Sequence, residues 1–82
     1  MENNNILLMY GDSLEMVSLR LGQLNNMIDS LCLGMEQENI ERQAIDCVES
    51  IGYCVRDIRN MALDRLQQIR KEVKNVEEKE EA

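Results

Sequence analysis

The chain has 82 residues, a formal charge of −7, no histidine, no proline and only two aromatic residues, both tyrosine. A chain of this length makes one small domain that buries a modest share of its surface, and it lacks the aromatic, β-branched and turn-rich segments of a sandwich or barrel. The acidic balance argues against direct nucleic-acid binding and against anionic membrane surfaces, both of which need clustered Lys and Arg. Apolar runs such as Ile6 to Tyr10 are far too short to span a bilayer.

Residues 1–11 read as an N-terminal apolar arm: an asparagine-rich tip, Asn3-Asn4-Asn5, followed by Ile6 to Tyr10 and closed by Gly11. The start lacks the basic stretch of a secretory signal, so no leader is expected. Asp12 and Glu15 have the offset of a capping box and open a helix over about residues 13–33. Within it Leu14, Val17, Leu21, Leu24, Ile28, Leu31 and Met35 recur at alternating steps of three and four. That is a heptad stripe, which a helix turns into one continuous apolar edge. Gly34 is placed to end this helix as a left-handed C′ residue.

Glu36 to Asn39 form a short polar connection, with Asn39 as the N-cap of a second helix over about residues 39–76. This helix carries Ile40, Ala44, Val48, Ile51, Val55, Ile58, Ala62, Leu66, Ile69, Val73 and Val76, with a stutter where Ile58, Ala62 and Leu66 follow at two steps of four. Residues 77–82 form a charged, acidic tail. The connection is short, so the helices should be antiparallel neighbours.

The expected fold is therefore all-α, an antiparallel helical hairpin with unequal helices of about 33 Å and about 55 Å. Folding it about residues 36–39 sets Gly22 opposite Tyr53 and lays the arm beside Arg65 to Ile69, leaving Val73 and Val76 uncovered by their own chain. Met16, Leu19, Met27, Leu33, Ile45 and Leu63 widen both apolar faces. A single helical pair cannot enclose that much apolar surface, so the hairpin is expected to form a homodimer, a four-helix bundle with coiled-coil packing.

Cys32, Cys47 and Cys54 are an odd number, and Cys47 and Cys54 lie about 10 Å apart along one helix face, too far to pair. They are read as reduced core thiols of a cytoplasmic protein. No zinc-type ligand spacing is present, and neither a metal nor a cofactor is expected. Without histidine, neither a Ser-His-Asp nor a Cys-His arrangement can form, and the glycines are too scattered to cradle a phosphate. The chain is not expected to be an enzyme.

Charge is distributed unevenly. Residues 1–41 hold seven acids and one base, Arg20, whereas residues 42–70 hold four acids and five arginines. These features fit a small acidic protein-protein interaction module (an adaptor, chaperone or regulator) acting through its helical surface. Its contact to a partner or to a second copy is expected at Leu66, Ile69, Val73 and Val76. The alternative is a phage-type inhibitor of a nucleic-acid-binding enzyme, of the anti-CRISPR or anti-restriction kind. It would block a basic or protein-contact site with the acidic surface of Glu36, Glu38 and Glu41.

Overall fold

The computed structural model describes the backbone of residues 2–81 and the side chains of residues 5–80. Met1 of the expected arm and Ala82 of the expected tail lie outside the described residues. Two helices account for nearly all of the rest: α1, Glu2–Gln37, of 36 residues, and α2, Arg42–Glu81, of 40 residues. They run antiparallel side by side in a rod of 63 × 14 × 14 Å. The Cα radius of gyration is 18.5 Å, against about 12 Å for a compact domain of this length. Among the described residues there is no strand, and neither helix is long and apolar enough to cross a membrane.

The helices are nearly equal in length, which corrects the expected inequality. The arm is not separate, because Ile6 to Tyr10 and Gly11 lie within α1. A single glycine costs a helix only about 1 kcal/mol relative to alanine, and here its surroundings favour continuation. A Cβ on Gly11 would lie 3.7 Å from both Leu66 and Ile69, while Leu7 and Leu8 sit with Ile69 and Val73 around the same hollow. At the other end, helix continues through residues 77–81.

Gly34 does not end α1. The stop is a Schellman motif centred five residues later. The Ile40 N–H donates to the Met35 carbonyl at 3.0 Å, and the Asn39 N–H donates to the Glu36 carbonyl at 3.2 Å. Asn39 stands at the C′ position with φ of 56°. Asparagine is the residue other than glycine that most readily accepts this left-handed backbone. Asn39 thus terminates α1 instead of capping α2, and Ile40 and Met35 line one hollow beside the turn. The Glu41 carbonyl accepts the first bonds of α2, from Ala44 and Ile45.

The interhelical seam differs from the expected stripe by one row. On α1 it takes Leu14, Leu21, Ile28 and Met35, but their companions are Gly11, Ser18, Asn25 and Cys32; Val17, Leu24 and Leu31 are outside. On α2 the seam rows are Ile45, Gly52, Arg59, Leu66 and Val73 beside Val48, Val55, Ala62, Ile69 and Val76. The steps along α2 are then an unbroken heptad alternation. The stutter disappears because Arg59, and not Ile58, occupies the seam position.

Ile28, Cys32 and Val55, with Leu21 and Val48, form the apolar centre of this seam, and small and polar residues fix its register. A Cβ on Gly52 would come within 3.1 Å of the Ile28 side chain, so the backbones approach closely there. Through the same gap Asn25 Nδ2 donates to the Gly52 carbonyl at 3.0 Å, a cross-helix bond that penalises any slipped register. Arg59 lies against Gly22 and donates from Nε to the Ser18 carbonyl at 3.3 Å. Gly22 therefore faces Arg59, nearly two turns from Tyr53, and the whole register moves accordingly. That shift brings the start of α1 over the end of α2, so Val73 is only 8% exposed.

Candidate functional site

Each helix of an antiparallel pair has two rows flanking its seam, one on each long edge of the rod. On one edge these rows are Glu15, Gly22, Asp29 and Glu36 of α1 and Glu49, Arg56, Leu63 and Arg70 of α2. The structure joins them directly. Arg70 Nη2 lies 3.3 Å from Glu15 Oε2, and Asp29, Glu49 and Arg56 line one cleft with Tyr53. The Arg56 guanidinium stands over the Tyr53 ring, 5.7 Å from its centre. Leu8 stands in the same α1 row, and Leu19, Leu33 and Tyr53 are exposed beside it, but the rows nearest the seam are mainly charged and finished in solvent.

The opposite edge has a different composition. Its rows are Tyr10, Val17, Leu24 and Leu31 of α1 and Ala44, Ile51, Ile58, Arg65 and Glu72 of α2, apolar along the middle and charged toward the chain ends. Leu24 is 42% exposed, Leu31 55%, Ile51 56% and Ile58 52%. Ile6 and Met27 of α1 and Cys47, Cys54 and Met61 of α2 extend the same surface outward. Meanwhile no described side chain is fully buried anywhere in the chain. The rod thus has one apolar edge with no cover from its own chain, larger than the scattered exposed residues normal on a monomer.

The residues first assigned to a partner or dimer contact are found elsewhere. Leu66 and Val73 are buried in the intramolecular seam, and Ile69 and Val76 are half-buried beside them. Their expected exposure came from the mistaken register, in which α2 overhung α1. The candidate contact surface is instead Val17, Leu24, Leu31, Ile51 and Ile58. The heptad spacing predicts these five in the seam. A usable signal was present, since each helix carries two adjacent apolar rows, more than one helix–helix contact consumes.

Glu36, Glu38 and Glu41 are exposed at the turn end. Their field is partly offset by Arg42, which lies 3.6 Å from Glu36, 2.9 Å from Asp46 and 3.3 Å from Glu49. Asp46 first, then Glu49, hold that guanidinium in its protonated form. Of the three cysteines only Cys32 is buried, packed with Ile28 and Val55. Burial, and then the charges of Glu49, Asp29 and Glu36, push its thiol above the ordinary value, which lowers its nucleophilic fraction. Cys47 and Cys54 were expected in the core but are exposed, because they lie one row outside Ile51 and Ile58. Among the described residues no three Cys, Asp or Glu side chains are gathered as a metal site.

No protein-family model matches the chain, and no curated protein or solved structure is significantly similar to it, so its functional reading rests on this geometry.

Proposed function

We propose that this protein is a non-enzymatic interaction module that packs the apolar edge of its hairpin against other helices to complete a helical bundle. The observation that carries this reading is the asymmetry of the two edges. Charged pairs finish one edge in water, whereas Val17, Leu24, Leu31, Ile51 and Ile58 leave the other apolar and exposed. Helices with one apolar stripe already used and a second one open are the building units of bundles. A homodimer, a four-helix bundle of two hairpins, is the simplest assembly of this kind, and the formal charge of −7 disfavours an anionic membrane as the cover.

Inhibition of a nucleic-acid-binding enzyme by the acidic turn draws no comparable support. Arg42 stands among those carboxylates and partly neutralises them.

A photo-crosslinking residue placed at Leu24 and, separately, at Asp29 tests the proposal in cells making the full chain. Protein adducts from Leu24 and not from Asp29 are expected. Adducts from Asp29 alone, or from neither position, would overturn it.

A further inference from the structure

Resting on that reading, we infer that the occupant of the apolar edge is a second copy of this chain, docked with α1 against α2 of the partner subunit about a two-fold axis parallel to the helices. Two independent observations support it. The first is area. A compact monomer of 9.5 kDa exposes about 5,000 Å², whereas this chain exposes 6512 Å². The surplus, about 1,500 Å² per chain, is what a subunit of an obligate homodimer typically buries.

The second is charge. An isologous pair of such edges allows two arrangements. With the axis perpendicular to the helices, each helix meets its own copy. The outer rim of α2 on this edge carries Asp57 and Asp64, offset only in part by Arg65 in the row inside them, so with the rods fully overlapped Asp57 would confront Asp64 of the partner subunit, a costly mismatch. With the axis parallel to the helices, α1 meets α2 instead. The contact of Gly22 with Arg59 places Arg20 level with the stretch between Asp57 and Asp64. Arg20, the one base among residues 1–41, lies on the outer side of the same α1 edge, and so meets both aspartates of the partner subunit. All facing helices remain antiparallel, and both turns lie at the same end of the bundle.

Analytical ultracentrifugation of the purified chain, followed by copper-phenanthroline oxidation, tests this arrangement. The expected species is a dimer. Oxidation should give no covalent dimer from the wild-type chain, because its α2 helices are diagonal and their exposed Cys47 and Cys54 stay apart. Leu24→Cys should give one, through Cys54 of the partner subunit. A disulfide-linked wild-type dimer, or a Leu24→Cys dimer that remains non-covalent, would overturn the arrangement.

Charge reversal provides a second, milder variant. Arg20→Glu should weaken dimerisation a few-fold, and adding Asp57→Lys with Asp64→Lys should restore it; absence of rescue counts against the inference. A monomer by ultracentrifugation overturns the inference outright. If a crosslinker at Leu24 then captures a different protein, the interaction-module reading stands, and if it captures nothing, both fail.

Discussion

The two long edges of the rod are built on the same helical geometry and differ only in what occupies the rows beside the seam. On one edge those rows supply Glu15, Asp29, Glu49, Arg56 and Arg70, and side chains pair across the helices or reach water. On the other they supply Val17, Leu24, Leu31, Ile51 and Ile58, and nothing in the chain covers them. The seam between is thin, held by Gly52 against Ile28, Asn25 on the Gly52 carbonyl and Arg59 on the Ser18 carbonyl. In a hairpin of this kind the apolar content of a helix is a poor guide to its intramolecular contact. Side chains as large as those in the seam also stand on the outside.

The sharpest test of that contrast puts the same charge on each side of it. Ile28→Asp buries a carboxylate in the seam and should cost on the order of 3–5 kcal/mol, read by urea denaturation at any protein concentration. Leu24→Asp should act mainly by abolishing the rise of Tm with protein concentration that the proposed self-association would bring. Equal losses from the two at all concentrations would mean that the edges do not differ.

The turn sets which rows meet, so its strain should be visible too. Asn39→Ala places a residue less tolerant of φ near 56° at the C′ position and should cost about 1 kcal/mol, whereas Asn39→Gly should be neutral or stabilising. Thermal melts of both variants measure the difference. The glycines give a smaller contrast. Gly34 has nothing within 4 Å of a built Cβ, so Gly34→Ala should stabilise by about 0.5–1 kcal/mol. Gly52→Ala should gain nothing, since its methyl would crowd Ile28. On the charged edge, Arg70→Ala removes an exposed ion pair with Glu15 and should change stability by less than about 1 kcal/mol, vanishing with added salt.

Much of this fold is legible in the sequence. The helix-forming composition, the heptad steps and the polar break near residues 36–39 lead to an all-α hairpin with its turn in the right place. What is not legible is which of two adjacent apolar rows enters the seam. Counting apolar residues selects Val17, Leu24, Leu31, Ile51 and Ile58. The folded chain selects Gly11, Ser18, Asn25, Gly52 and Arg59, because small and hydrogen-bonding groups let the backbones approach. Those residues carry no apolar signal, so the expected register drifted and Leu66, Ile69, Val73 and Val76 were expected outside. Asn39 is ambiguous for a related reason: asparagine serves equally as an N-cap and as a left-handed C′ residue, and the positive φ with the backbone bonds to Met35 and Glu36 distinguishes the two.

The single-layer rod also implies an order of assembly in time. Contacts beside the turn join residues near in sequence, as Arg42 and Glu36 do, those at mid-length join Ile28 to Gly52, and those at the far end join Gly11 to Ile69. Forming a distant contact first would close a longer loop at a higher entropic cost, so the pair should close like a zipper from Asn39 toward the two chain ends. Amide protons near the turn should therefore exchange most slowly and those near the ends fastest.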